Sequence, residues 1–192
     1  MEFSTDQPPE KLKRHTLAIL VDNSPGVLAR VTTLISGRGF NIDSLSVAET
    51  MDPEVSVITL IITGNPRIIS QIIKQLRKLI NVIRVTDLSG TDYVERQLIM
   101  VRVKAESDGA RAEITRLCDI FRAKIIDVSL KSYTLEITGG MDKIKAALNL
   151  LKSFGVEEQV STGLTAMARS HPAAPPDGAA RGRRLDPKNA DG

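Results

Sequence analysis

Tryptophan is absent from this chain of 192 residues, and aromatic side chains of any kind are scarce, with two tyrosines and four phenylalanines. A core must therefore be built from aliphatic residues, which a hydrophobic content of 42% can supply. Cysteine occurs once, at Cys118, which excludes an intramolecular disulfide framework and fits a reducing compartment. Histidine occurs twice, at His15 and His171, so neither a nucleophile–histidine constellation nor a Cys/His cluster with metal spacing is in view. No apolar run approaches the roughly 20 residues that span a bilayer. The first 14 residues are polar, contain Pro8-Pro9 and lack the apolar stretch of a secretory signal. A broad basic face is missing as well. The net charge is +3, of which +2 falls after Ala166, so the sequence pI of about 9.1 does not mark a nucleic-acid surface. Together these absences lead us to expect a soluble, cytoplasmic protein that binds neither nucleic acid nor membrane.

What is present is one pattern used twice. Residues 15–21 read as a strand, and a helix over 25–36 places Val27, Leu28, Val31, Leu34 and Ile35 on one stripe. Gly37-Arg38-Gly39 ends it, a glycine supplying the left-handed turn. Two strands follow over 41–49 and 55–63 around Met51-Asp52-Pro53-Glu54. A helix over 66–79 then buries Ile68, Ile69, Ile72, Ile73, Leu76 and Leu79, and a strand runs over 81–87. The order is βαββαβ. It recurs with a strand near 96–104, a helix over 109–122 (Ile114, Leu117, Cys118 and Phe121 inward), strands near 124–129 and 132–138, a helix over 141–153 and a strand near 156–160.

This predicts an α+β protein of two ferredoxin-like sandwiches in tandem. We divide it into a flexible start at 1–14, a first domain at 15–88, a linker at 89–94 and a second domain at 95–169. A tail at 170–192, rich in Pro, Ala, Gly, Arg and Asp, buries too little apolar surface to offset its ordering entropy and is expected to be disordered.

The segment most informative about function is Asp22-Asn23-Ser24-Pro25-Gly26-Val27-Leu28, between the first strand and the first helix. Ser24 suits an N-cap and Pro25 the first helical position. The amides that follow have no partner within the helix and lie at the positive end of its dipole, where a carboxylate can bind. Gly26 permits close approach to the backbone. Asn23 offers a carbonyl that can accept from an ammonium group. A free α-amino acid carries both charges. On shape alone, an ordinary strand-to-helix turn is the favoured reading of this segment, and a helix-exit turn is that of Asn41-Ile42.

Catalytic machinery is not apparent. Cys118 sits on an apolar stripe, Gly37-Arg38-Gly39 follows a helix rather than a strand, and Glu95, Glu113 and Asp127 read as scattered solvated charges. An RNA-recognition sheet of this topology needs stacking aromatics, and the first and third strands offer none beyond His15. A free-standing amino-acid-responsive regulator, for instance of transcription, is the alternative reading. It is opposed by the lack of a helix-turn-helix or basic stripe.

Several segments, in order and spacing, resemble the small regulatory subunit of acetohydroxyacid synthase (acetolactate synthase). They are 22–28 quoted above, Arg-Gly-Phe-Asn-Ile-Asp-Ser-Leu at 38–45, Gln-Leu-Arg-Lys-Leu-Ile-Asn-Val at 75–82, Val-Glu-Arg at 94–96, Ile-Phe-Arg-Ala-Lys-Ile-Ile-Asp-Val at 120–128 and Glu-Ile-Thr-Gly at 136–139. The resemblance covers about 15–169. It implies an N-terminal ACT domain that senses amino acids, homodimerisation through that domain, and feedback inhibition by valine, with leucine or isoleucine as further ligands. It also implies activation of a separate catalytic large subunit, which would carry thiamine diphosphate, Mg2+ and FAD, none of them bound by this chain. It assigns ligand contacts to Asn23 and Gly26 and, from across the dimer, to Asn41 and Ile42; with the open helix start, this makes the amides of Gly26, Val27 and Leu28 the expected seat of the valine carboxylate. Two positions depart from the family pattern: Val57 follows Ser56 where an arginine is frequent, and Ser161-Thr162-Gly163 stands where Arg-Thr-Gly is frequent.

Overall fold

A computed structural model describes residues 12–170 as two α/β sheet domains. The predicted disordered tail therefore lies outside the described residues save Ser170, as does the predicted flexible start save its last three. In the first domain, β1 (Lys13–Asp22), α1 (Val27–Ser36), β2 (Ile42–Glu49), β3 (Val55–Gly64), α2 (Pro66–Leu76) and β4 (Val82–Asp87) follow one another, and the sheet order is β2-β3-β1-β4, antiparallel throughout. The second domain repeats the succession with β5 (Tyr93–Lys104), α3 (Asp108–Phe121), β6 (Lys124–Val128), β7 (Ser132–Gly139), α4 (Met141–Leu151) and β8 (Val156–Ser161), in the order β6-β7-β5-β8. A ninth strand, β9 (Thr165–Ala168), pairs with the start of β5.

Alternation along the strands explains the two cores. Leu17, Ile19 and Val21 of β1 and Ile58, Leu60 and Ile62 of β3 face Val27, Val31 and Ile35 of α1 and Ile69, Ile72 and Leu76 of α2. In the second domain Ile99, Val101 and Val103 of β5 and Leu135 and Ile137 of β7 meet Ile114, Leu117 and Cys118 of α3 and Ile144, Ala147 and Leu151 of α4. Each large aliphatic side chain so buried contributes about 1.5–3 kcal/mol relative to exposure.

Several boundaries differ from the sequence reading. β1 starts at Lys13 rather than at residue 15, because its register with β3 continues through Lys13–Gly64 and Arg14–Thr63. β5 starts at Tyr93, inside the expected linker, because β9 supplies partners for Tyr93 to Arg96. α1 starts at Val27, not at Pro25. Gly26, at φ 85, is its N-cap, and the Ser24 side chain caps nothing. At the other end Gly37 is right-handed and Gly39, at φ 77, makes the left-handed turn. Leu28 and Ile68 leave the predicted stripes and are exposed.

The start of the linker is tied back to β1. Leu88 N–H donates to the Thr16 carbonyl at 2.9 Å, and Thr16 N–H donates to Ser89 Oγ at 2.9 Å. Glu95 corrects the reading of a solvated carboxylate. Its Oε2 accepts from Arg14 Nη2 of β1 at 3.1 Å, and its Oε1 accepts from the Met141 amide at 3.4 Å, so one side chain ties the first sheet to the start of α4.

Candidate functional site

The turn from β1 to α1 is where backbone polarity is left open. Asn23 N–H donates to the Glu54 carbonyl at 2.7 Å, and Ser24 N–H donates to the Asp22 carbonyl at 2.9 Å. Pro25 has no amide hydrogen, and Gly26 turns the chain through the left-handed region. The first helical bond is Arg30 N–H to the Gly26 carbonyl at 3.1 Å, and Val27 N–H makes a long 3.4 Å contact with the Ser24 carbonyl. The amides of Gly26, Leu28 and Ala29 meet no protein acceptor among the described residues. No acidic side chain stands in the first turn to neutralise them. Nothing lies within 4 Å of a Cβ built on Gly26, so the approach to these amides is open. Such an array favours a carboxylate on both hydrogen-bonding and dipole grounds.

The walls of this corner are held by residues the sequence reading did not single out. Asn23 Nδ2 donates to Glu49 Oε1 at 3.0 Å and to the Pro53 carbonyl at 2.8 Å, and its Oδ1 accepts from no donor among the described residues. Asn81 links the other side. Its Nδ2 donates to Asp22 Oδ2 at 3.3 Å, its carbonyl accepts from Asp22 N–H at 2.9 Å, and its Oδ1 accepts from Arg30 Nη1 at 2.8 Å. Asn81 lies within the quoted 75–82 segment, and that membership was its one signal in the sequence. Exposed Leu28 places an apolar surface beside the amides.

Asn41 and Ile42 are not brought to this corner within one chain. Glu49, at the far end of β2, pairs with Ser56, whereas Ile42 pairs with Ile62. Asp22 pairs with Val55. Asn41–Ile42 and Asn23–Leu28 therefore occupy opposite ends of the sheet, about 20 Å apart at the strand rise of roughly 3.3 Å per residue.

Titrating groups elsewhere do not form a reaction centre. Burial pushes the Cys118 thiol up, with the neighbouring Asp119 carboxylate acting in the same direction, so it is a poor thiolate source. For Asp87, burial opposes ionisation. The Ser89 amide and hydroxyl and the His15 imidazole, whose Nδ1 lies 3.0 Å away, outweigh it and hold the carboxyl below its ordinary value. Among the described residues no group of three or more His, Cys, Asp or Glu side chains is placed to hold a metal ion, and no helix is long and apolar enough to cross a membrane.

The fold and the open helix start together define an ACT-type regulatory module, and residues 17–84 match the family model for the acetohydroxyacid synthase small subunit-like ACT domain. Residues 96–170 match the model for the small subunit of acetolactate synthase. The acetolactate synthase small subunit of Aquifex aeolicus is 45% identical over 159 residues, which is 83% of each chain. A probable acetolactate synthase small subunit of Archaeoglobus fulgidus is 44% identical over 158 residues, 82% of this chain and 98% of that one. The crystal structure of the small subunit from Thermotoga maritima superposes with a TM-score of 0.75 at 40% identity, covering 83% of this chain and 99% of that one. The chain belongs to the acetolactate synthase small-subunit family. It is a regulatory, non-catalytic subunit in branched-chain amino-acid biosynthesis.

Proposed function

We propose that this chain binds valine at the β1–α1 corner and, by doing so, imposes feedback inhibition on a separate catalytic subunit that it otherwise activates. The observation that carries this reading is the glycine-capped start of α1, with the Gly26, Leu28 and Ala29 amides open beside the free Asn23 Oδ1. In this reading the valine carboxylate accepts from those amides, its ammonium group donates to Asn23 Oδ1, and its isopropyl group packs on exposed Leu28, Val27 being turned into the core. Leucine and isoleucine present the same charged end and are the competing ligands. The thiamine diphosphate chemistry, with its Mg2+ and FAD, belongs to the catalytic subunit.

The second half of the site comes from a second copy. β2 is an edge strand, and an unpaired edge is a template for pairing. Two copies related by a two-fold axis would pair β2 with β2 in antiparallel fashion. The N-terminal end of one β2, with Asn41 and Ile42, then lies beside the C-terminal end of the other, where Glu49 holds Asn23. The separation within one chain thus supports a shared site in a homodimer. The βαββαβ succession and β2-β3-β1-β4 order support tandem ferredoxin-like sandwiches, the first domain reaching back to Lys13 and the second to Tyr93 rather than starting at 15 and 95. A cytoplasmic location agrees with the single, buried, unpaired cysteine.

The test is reconstitution. The chain is mixed with an acetolactate synthase catalytic subunit and acetolactate formation is followed with and without valine. Activation by the chain and its reversal by valine are expected. Activation that valine leaves untouched would remove the sensing role, and no activation at all would remove the partnership.

A further inference from the structure

Leu164 has no solvent exposure, yet it belongs to neither domain's core. It lies in the segment that joins β8 to β9, and its amide donates to Ser44 Oγ on β2 at 2.9 Å, across 120 positions of sequence. Beside it Gly163 takes φ +78, and a Cβ built there would stand 2.6 Å from the Leu45 carbonyl oxygen. That obstacle is backbone, not the movable end of a side chain. The segment lies against β2 only because residue 163 has no side chain.

The same segment is fixed to the second sheet. Thr162 N–H donates to the Leu98 carbonyl at 3.1 Å, and Leu98 N–H donates to Thr162 Oγ1 at 3.2 Å. β8 before it and β9 after it both pair with β5. Any displacement of β2 therefore meets a short connection clamped on both sides to the central strand of the second domain. β2 itself carries the proposed amino-acid site at its two ends, with Glu49 holding Asn23 at one and Asn41–Ile42 at the other. Its register with β3 slips between Ile42 and Ser44, next to where the segment from the second domain seats.

We propose that residues 161–164 form a coupling hook, through which amino-acid occupancy at the ends of β2 is passed to the second domain. The proposal rests on the valine-sensing reading above. Packed contacts of this kind take discrete arrangements rather than deforming continuously. A ligand that favours one position of β2 favours one seating of Gly163 and Leu164. By reciprocity, a partner that selects a seating changes the affinity for the amino acid. Gly163 and Leu164 are positioning residues here and touch no ligand.

Ser44→Ala removes the acceptor without adding bulk, and Gly163→Ala drives the hook off β2. Each full-length variant is compared with the wild-type chain in two measurements: the valine dissociation constant of the chain alone by calorimetry, and valine inhibition after reconstitution with the catalytic subunit. We expect the dissociation constant to stay within about threefold of wild type. The ratio of uninhibited to fully inhibited rate should shrink by about three- to tenfold in Ser44→Ala, and by more in Gly163→Ala. If Gly163→Ala does not fold, Ser44→Ala carries the test. Undiminished inhibition in Ser44→Ala, or a loss of inhibition that only parallels lost valine binding, overturns the coupling. A wild-type chain that binds no valine overturns the sensing reading, and the hook's role falls with it.

Discussion

The first helix of each domain occupies the same place in the same succession, yet the two helix starts are finished differently. α3 is closed. Ser107 Oγ accepts from Ala110 N–H at 3.2 Å, and Asp108 sets a carboxylate in the first turn. α1 is open, with a left-handed glycine as its cap, no side-chain acceptor and no acid in the first turn. The second helices are also closed. Asn65 Oδ1 accepts from Arg67 N–H at 2.8 Å at the start of α2, and Glu95 receives the Met141 amide at the start of α4. Topology therefore does not make the site. One duplicated architecture ends its first helix in two ways, with its amides satisfied by the protein in α3 and left open in α1, and on the proposed function that difference separates a structural domain from a sensing one.

The largest effects will come from the cores, and they should separate the two roles. Leu60→Ala in β3 and Leu135→Ala in β7 each remove a fully packed side chain and should cost about 2–5 kcal/mol by denaturant unfolding. If the comparison holds, the first abolishes valine binding in calorimetry, while the second leaves the α1 corner able to bind. Next in size is Gly26→Asp. Its left-handed backbone strains any side chain by about 1–2 kcal/mol, and its carboxylate competes for the open amides. Valine affinity should fall by more than about tenfold, with activation of the catalytic subunit retained. Unchanged affinity in calorimetry would move the ligand elsewhere.

The reverse experiment removes the closed cap. Ser107→Ala should lower stability by about 1 kcal/mol, seen as a reduced melting temperature, and should not alter valine affinity. An effect on affinity would mean that the second domain contributes directly to the ligand site. The smallest expected effect is at Asp87. Its carboxyl is held below the unfolded value of about 3.9, so its contribution is complete above that pH and is lost as pH falls through the folded value. As pH falls below about 5, the wild-type urea midpoint should therefore fall more steeply than that of Asp87→Asn, and the gap between them should narrow. Parallel curves would show that the His15 and Ser89 contacts do not stabilise the carboxylate.

Much of the architecture was legible in the chain because the periodicities are clean. Ile69, Ile72 and Leu76 recur at helical spacing and form the buried face of α2, while Leu17, Ile19 and Val21 alternate as a half-buried strand must. The helix start was misplaced by local chemistry that reads two ways. Ser24-Pro25 has the form of a cap, but the chain reverses at Gly26, and the helix begins only after that turn. β9 escaped notice because Thr165–Ala168 is short and largely exposed, with no alternation to reveal it. Glu95 looked solvated because its partners, Arg14 and the Met141 amide, are 81 and 46 residues away.

The sequence alone determined the two βαββαβ units, the aliphatic cores and the corner from Asn23 to Leu28, because each follows from side-chain spacing and turn chemistry within a few neighbouring residues. Only the tertiary structure decided that Glu49 and Asn81 frame that corner, that Asn41 and Ile42 stand at the opposite end of the sheet, and that Gly163 and Leu164 reach across to β2. Those relations depend on strand register and on how one domain seats against the other, and no local pattern encodes the pairing of residues that meet only once the chain has closed on itself.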